Sequence, residues 1–402
     1  MTAPTNLRTS DIRAAVRAGR SLDAALPLCD VAGRIGRMRG SLGSSGAAID
    51  ALLVTDLVNI RYLCGFTGSA GRLLVPVDAS TPALFVTDGR YEERAAHELR
   101  SAGLGTDQVA VVVGRTAAAQ DAALRAYLGG TGPGHTRCVG LEASSVSWAA
   151  LDSYRAGFPG WTFNPTNGLV EGLRRTKDTG EIARLSRASA IADTAFDAVM
   201  GRLGDRPTEA EFARELEGAM VARGAEGVSF DTIIAAGPPG SEPHHRTGDR
   251  RIERGDAVIC DFGALFDGYH SDMTRTVHVG SPDRRQRRHF EAVRISQAEG
   301  AERVRAGVAA KDIDAACRAA LRRFGWVRRF VHGTGHGIGL VIHESPWLGA
   351  SSTATLAVAD VVTVEPGVYL PGIGGVRVED SMIVTSSGSI PITLTPKELV
   401  VG

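Results

Sequence analysis

The sequence predicts an α/β protein of two domains in tandem, a small one ending near Leu169 and a larger one from about Thr179 to Gly402. Three observations carry that expectation. At 402 residues the chain exceeds what one compact core usually organises. Its first part alternates short apolar runs with helix-like segments, as an α/β layer does. Its last part sets helical stretches beside strand runs that end in acidic residues.

Residues 1–28 form a polar extension carrying Asp11, Arg13, Arg17 and Arg20, with no apolar run behind Met1. A helix is expected around Val31 to Leu42, with Arg34, Arg37 and Arg39 on its polar positions. Strands at Ala51 to Val54, Leu73 to Val77, Ala83 to Val86 and Val109 to Val113 are interleaved with helices at Tyr91 to Leu99 and Ala117 to Leu128. Residues 29–170 therefore make the first domain, and charged, Gly-containing Glu171 to Asp178 suits a linker. Thr179 to Leu203 then reads as a long amphipathic helix, with Ile182, Leu185, Ala188, Ala192 and Phe196 at helical spacing. Further helices are expected at Glu209 to Arg223, entered through Pro207 and Thr208, at Asp283 to Arg305 and at Lys311 to Phe324. Strand runs lie at Ala257 to Phe262, Val277 to Val279, Val361 to Glu365 and Val376 to Val384, so residues 179–402 form the second domain.

Composition narrows the function. Hydrophobic residues make up 43% and aromatics 5%, enough for aliphatic cores and against a disordered chain. Lys plus Arg equals Asp plus Glu at 45 each, so no net charge points to a nucleic acid or an acidic membrane as partner. The basic cluster Arg284 to Arg288 is explained by a solvated turn. Cys29, Cys64, Cys138, Cys260 and Cys317 are scattered without paired spacing, which reads as reduced thiols. No uncharged apolar stretch is long enough to span a bilayer. A cytoplasmic protein is expected.

The chemistry concentrates in the last third. Asp261 interrupts the apolar run of Val258, Ile259, Cys260 and Phe262, and Asp267-Gly268 beyond it is a two-residue hairpin signal. Pairing about that turn sets Asp261 opposite Thr274 and brings Asp272 onto the same face within diagonal reach. Two carboxylates on one sheet face repel unless a cation lies between them. The pattern recurs where Val361 to Val364 lead to Glu365-Pro366-Gly367, and where Glu379 follows Val376, Arg377 and Val378. Four buried acids would cost many kcal/mol without cations. Between these runs, His332-Gly-Thr-Gly-His336-Gly-Ile-Gly-Leu-Val-Ile-His343-Glu344 holds four glycines, which argue for an irregular loop over a helix. Pro243-His244-His245 sits in a further Gly- and Pro-rich loop. Singly, each residue has a bland reading as a turn acid or a hydrogen-bonded histidine. Together Asp261, Asp272, His336, Glu365 and Glu379 supply four negative charges and an imidazole, the complement of two dications.

On these residues the chain resembles the pita-bread metallopeptidases, which include methionine aminopeptidase, aminopeptidase P and prolidase. The stretches are Asp261-Phe-Gly-Ala, Gly268-Tyr-His-Ser-Asp272-Met-Thr-Arg, Gly335-His336-Gly-Ile-Gly, Val364-Glu365-Pro-Gly and Val376-Arg377-Val-Glu379-Asp. Asn59-Ile-Arg-Tyr-Leu-Cys-Gly-Phe-Thr-Gly-Ser and Thr87-Asp-Gly-Arg-Tyr extend the likeness into the first part. The resemblance implies a creatinase-like N-terminal domain before a pita-bread α+β catalytic domain. That first domain points to the proline-specific branch, and the five filled ligand positions argue against creatinase and against decayed, non-catalytic relatives.

Carried over position by position, the resemblance implies that Asp261 binds one metal, His336 and Glu365 the other, and that Asp272 and Glu379 bridge both. His244, His332 and His343 match active-site histidines, and Tyr369 and Arg377 match residues lining the site, with Arg377 orienting Glu379 or the substrate. His245 reads as structural and Glu344 as a supporting partner. A mainly oxygen ligand set favours Mn²⁺, with Co²⁺, Fe²⁺ and Zn²⁺ as alternatives. The expected activity is that of an Xaa-Pro aminopeptidase acting on proline-containing peptides, with a hydroxide shared by the metals as nucleophile. An Xaa-Pro dipeptidase is the alternative, since it needs a group that reads the proline carboxylate and none is identified. Lesser alternatives are a methionine aminopeptidase with an added domain and a pita-bread scaffold that binds peptides without turnover. A homodimer is implied by the resemblance alone.

Overall fold

The computed structural model describes residues 7–44, 49–128 and 136–402, so the first six residues of the expected extension lie outside them. The chain divides into two compact units, one from Cys29–Arg174 and one from residues 7–28 together with Arg175–Gly402. Helix α1 (Thr9–Arg20), first in the chain, thus belongs to the second unit.

The first unit is a six-stranded mixed sheet flanked by helices. Its elements are α2 (Arg34–Ser44), β1 (Ala51–Val54), α3 (Leu57–Cys64), β2 (Arg72–Pro76), β3 (Ala83–Thr87), α4 (Glu92–Ser101), β4 (Val109–Val113), α5 (Ala117–Tyr127), β5 (Arg137–Glu142), α6 (Trp148–Gly157), β6 (Trp161–Thr166) and α7 (Leu169–Arg174). The strand order is β4-β3-β2-β1-β5-β6, with β2 antiparallel to both neighbours and the other pairs parallel. Every residue of β1 and β3 is buried, which is why these strands read as unbroken apolar runs. Two expectations give way here. Helix α7 occupies much of the predicted linker, because Val170 and Leu173 bury their side chains and Arg174 donates to Asn59 Oδ1 at 2.8 Å. Arg34 is buried and not on a polar face, donating to the Tyr62 carbonyl at 2.8 Å with its guanidinium 4.0 Å above the Tyr62 ring.

The second unit opens with α8 (Thr179–Val199) and α9 (Glu209–Val221), each started by a capping box, Asp178 with Glu181 and Thr208 with Glu211. Helix α8 is buried almost all round and not amphipathic, because α1 lies against it. A Cβ on Gly19 would stand 2.2 Å from the Ala183 carbonyl oxygen, so glycine permits this close approach. Arg187 then donates to Gly19 O at 2.7 Å, and Arg20 pairs with Asp193 at 2.8 Å.

Next come β7 (Gly227–Val228), β8 (Ile233–Ala236), β9 (Ala257–Phe262), β10 (Ala264–Phe266), β11 (Tyr269–His270) and β12 (Met273–Val279). Helices α10 (Arg284–Arg303) and α11 (Ala310–Arg323) separate them from β13 (Gly335–Gly337), β14 (Glu344–Leu348), β15 (Val361–Val364), β16 (Gly367–Leu370), β17 (Gly374–Arg377), β18 (Asp380–Val384), β19 (Ser389–Pro391) and β20 (Leu399–Val401). The two largest sheets run β20-β12-β9-β8 and β14-β13-β15-β18-β19. One core packs Phe196, Phe212 and Leu216 against Val258, Cys260 and Phe262, and a second packs Val293, Ile313 and Leu321 against Val362, Val364 and Val378.

With Cys260 and Phe262 committed to the core, the alternation of β9 turns Asp261 to the opposite face. Asp267 and Gly268 both take positive φ, 45° and 70°, as a two-residue hairpin turn requires. The register places Asp261 opposite Thr274, as the sequence predicts. The expected strand from Val376 to Val384 is instead broken. Its first part pairs with β16 and its second with β15, and the break carries Glu379.

Candidate metal centre

Asp261, Asp272, His336, Glu365 and Glu379 all line one cleft of about 480 Å³ in the second unit. His244, His332, His343 and Arg377 line it too. Separate elements deliver them: β9 ends beyond Asp261, Asp272 precedes β12, Glu365 follows β15, and Glu379 sits between β17 and β18. The Glu379 amide donates to Thr274 O at 3.1 Å and Ser381 Oγ to Asp272 O at 2.9 Å, which ties the late strand to the early hairpin.

His336 is held by close backbone approach. A Cβ on Gly335 would lie 2.0 Å from Thr363 O, and one on Gly337 2.3 Å from Ser345 O. The two glycines therefore let the strand between them fit against both neighbours, where the sequence suggested an irregular loop. The His336 Nδ1 lies 3.0 Å from the Gly337 carbonyl and must donate to it, which leaves the Nε2 lone pair turned inward. That Nε2 stands 3.4 Å from Asp272 Oδ2 and 3.6 Å from Glu365 Oε1. Three acceptor atoms thus converge. Asp272, His336 and Glu379 each offer an atom within 4.8 Å of the others, and Asp261 Oδ1 and Glu379 Oε1 are buried without a partner among the described residues. A cation satisfies all of these atoms together, so the donor set fits divalent metal.

The electrostatics agree. Burial first, then the charges of Asp261 and Glu365, hold the Asp272 carboxyl well above the usual carboxylate range. Burial and Asp272 do the same to Glu379, and burial raises Glu365 against the opposing pull of His336 and Arg377. Among the described residues, Arg377 is the one guanidinium lining the cleft. Its Nη2 lies 2.5 Å from Asp261 Oδ2, its Nη1 donates to Tyr369 Oη at 2.8 Å and its Nε to Thr274 Oγ1 at 3.1 Å. Thr274 Oγ1 in turn donates to Glu379 Oε2 at 2.7 Å. Arg377 thus grips Asp261 directly and reaches Glu379 through Thr274, which the sequence marks simply as the register partner of Asp261.

His332 and Tyr369 form a linked pair beside Arg377. Tyr369 is buried behind the cleft, with burial pushing its phenol up to about 12. Its hydroxyl lies 2.8 Å from His332 Nε2. Burial and Arg377 push the His332 imidazole down to about 4, and its Nδ1 donates to Gly333 O at 2.8 Å. A neutral ring that donates from Nδ1 accepts at Nε2, so the order runs Arg377 to Tyr369 to His332 to Gly333 O. Both nitrogens of His332 are engaged, and the pair orients Arg377.

His343 packs edge-on to His336 with ring centroids 4.4 Å apart, and burial lowers its pKa. His244 is exposed on the cleft wall. His245 turns away to Glu209, 2.9 Å from its Oε2, and Glu344 forms a buried pair with Lys177 at 2.5 Å.

Comparison with known proteins places these residues in a family. Residues 183–386 match metallopeptidase family M24, and residues 34–176 match the creatinase/prolidase N-terminal domain. An uncharacterized peptidase of Bacillus subtilis, YqhT, is 36% identical over 92% of this chain and 99% of its own length. The Xaa-Pro dipeptidase of Pyrococcus furiosus is 33% identical over 88% of this chain and 95% of its own. Among solved structures, an Xaa-Pro dipeptidase from Bacillus anthracis superposes with a TM-score of 0.84 at 37% identity, covering 92% of this chain and all of that one. An X-Pro aminopeptidase from Thermotoga maritima gives 0.81 at 31% identity, with the same coverage.

Proposed function

We propose, from the premise that the chain belongs to metallopeptidase family M24, that it is a divalent-metal-dependent Xaa-Pro dipeptidase. The observation that carries a metal-dependent reading is the inward lone pair of His336 facing Asp272 and Glu365. The sequence alone favoured an aminopeptidase. The dipeptidase reading now leads because relatives bearing that name match at 33% and 37% identity, against 31% for the aminopeptidase structure, which keeps the latter as second reading.

Asp261, Asp272, His336, Glu365 and Glu379 would hold two cations, Mn²⁺ being the first choice for an oxygen-rich set. When bound, such ions supply an activated water and a Lewis acid for the scissile carbonyl. The protein's own groups do the positioning. Arg377, fixed by Tyr369 and His332, sets the carboxylate of Asp261, and through Thr274 that of Glu379. His343, its charged form disfavoured by burial, offers a neutral N–H to the carbonyl oxygen as charge develops there, and His244 faces the same cleft. Glu365 or another of the ligand carboxylates would carry a proton toward the leaving nitrogen.

The test strips the protein with chelator, restores Mn²⁺, and compares Xaa-Pro dipeptides with Xaa-Pro-Yaa tripeptides. Metal-dependent cleavage of the dipeptides supports the proposal. Cleavage of tripeptides alone turns it to the aminopeptidase, and cleavage of neither with any divalent ion overturns both.

A further inference from the structure

Trp347 is a large apolar residue that the metal centre does not use. Strand β14 alternates buried and exposed positions, so Glu344, Pro346 and Leu348 turn inward while Ser345 and Trp347 turn out. Trp347 lines the cleft yet is 55% exposed. Its indole lies close to parallel with the His343 ring, planes 29° apart and centroids separated by 6.2 Å, and stands 6.1 Å from His336. Phe230, Ile233 and Ile342 add apolar surface to the same cleft.

Isolated exposed aromatics are common and need no function. This one differs in its place. An open indole face beside His343 adjoins the position where a substrate carbonyl would meet that imidazole. In an Xaa-Pro peptide the pyrrolidine ring is bonded directly to the scissile nitrogen, so the ring travels with the reacting bond. It is rigid and apolar, and its C–H bonds next to nitrogen are polarised toward an electron-rich ring face. An acyclic residue presents less surface there and loses more freedom on binding.

We propose that Trp347 is the specificity-determining residue that recognises the proline ring of the substrate. The proposal rests on the Xaa-Pro peptidase reading above. It predicts discrimination between a closed and an open ring at the same tertiary amide, which a residue merely shaping the cleft rim would not provide.

The experiment compares Leu-Pro with Leu-(N-methyl)Ala, the same tertiary amide with the ring opened by removal of Cγ, for wild type, Trp347→Ala and Trp347→Phe loaded with Mn²⁺. Bound metal is counted for each protein, and competition between the two peptides gives the same comparison as a ratio of kcat/KM. The expected result is a fall of about tenfold or more in the Leu-Pro preference for Trp347→Ala at unchanged metal content, with Trp347→Phe between. A preference unchanged in Trp347→Ala, or both peptides falling together, overturns the proposal. Should Trp347→Ala fail to fold or load metal, Trp347→Phe and Trp347→Leu decide by the same ratio, the aliphatic replacement losing what the aromatic one keeps. A wild type that acts on neither peptide overturns the peptidase reading itself, before any variant is made.

Discussion

Arg377 and Asp261, 116 residues apart in sequence, meet in an ion pair of 2.5 Å on the wall of the candidate metal centre. The pair matters because the centre gathers the carboxylates of Asp261, Asp272, Glu365 and Glu379, and Asp261 is held directly by a guanidinium. Tyr369 and Asp261 keep the Arg377 charge well above its ordinary pKa although burial opposes it. Three contacts from one planar fork fix the orientation of the carboxylate as well as its charge.

Arg377→Lys keeps the charge and loses the fork. A single ammonium point charge cannot reach Asp261, Tyr369 and Thr274 together. The expected outcome is a fall in kcat of about 100-fold with metal content little changed, since misplacement of a reacting group by about 1 Å costs that much. Steady-state kinetics beside metal analysis reads both, and equal activity of the two proteins would sink the orienting role.

Thr274 connects Arg377 to Glu379 by one hydroxyl. Thr274→Val leaves a buried carboxylate oxygen without its donor, a loss of about 1–3 kcal/mol. Activity is expected to drop by roughly tenfold or more, while Thr274→Ser, which restores the hydroxyl, recovers most of it. Equal losses in both variants would mean that the methyl group matters and the hydrogen bond does not.

Much of this site was legible because its signals are local. Asp267-Gly268 has a turn geometry that few other pairs adopt, and once that turn is placed, alternation decides that Asp261 and Asp272 share a face. The glycines around His336 likewise mark a backbone that something approaches closely. What stayed hidden depends on partners distant in the chain. Thr274 is an ordinary strand residue until Glu379 arrives 105 positions later. Arg34 looks solvated until the Tyr62 carbonyl is found beneath it. Helix α8 has an apolar stripe in sequence, but nothing local shows that α1 will cover its other side. The choice between dipeptide and longer substrates depends on groups around the cleft that no local spacing brings together.

Gly337 and Gly218 should respond to alanine with opposite signs. A Cβ at Gly337 meets backbone, with Ser345 O at 2.3 Å and its carbon at 2.6 Å, so the strands must part. Gly337→Ala is expected to cost about 2–3 kcal/mol or more, as overpacking does, and to lower metal retention because His336 moves with the strand. Gly218 lies exposed within α9 with nothing within 4 Å, and alanine there should stabilise by about 0.5–1 kcal/mol. Chemical denaturation of both variants with metal removed checks the pair of signs.

His289 is buried neutral, its Nε2 donating to Val368 O at 3.0 Å and its pKa pushed down to about 4 mainly by burial. In the unfolded chain it returns to about 6.5. Between those values the unfolded state takes up a proton that the folded state refuses, so falling pH favours unfolding. The contribution is complete above about pH 6.5 and is lost toward pH 4, with a slope of up to about 1.4 kcal/mol per unit. His289→Gln can keep the donor without the titration. The stability difference between wild type and variant should therefore narrow as pH falls from 7 to 4.5, and a constant difference across that range would reject the assignment.

Asp272 should stabilise or destabilise the fold according to whether a cation is present. Without one, its carboxylate is buried among like charges, with Asp261 and Glu365 both acting against its ionisation. Asp272→Asn replaces it with a neutral group of the same shape, so in chelator the variant is expected to melt no lower than wild type. With Mn²⁺ the order reverses. Binding to the native state alone stabilises by about 2.7 kcal/mol at a hundredfold excess over the dissociation constant. Wild type should gain that increment, and the variant, in which one of the three convergent groups Asp272, His336 and Glu379 has lost its charge, should gain little. Melting curves of both proteins with and without Mn²⁺ give four temperatures. A metal-dependent rise of equal size in both would place the cation elsewhere, and a variant less stable than wild type in chelator would assign Asp272 a structural role.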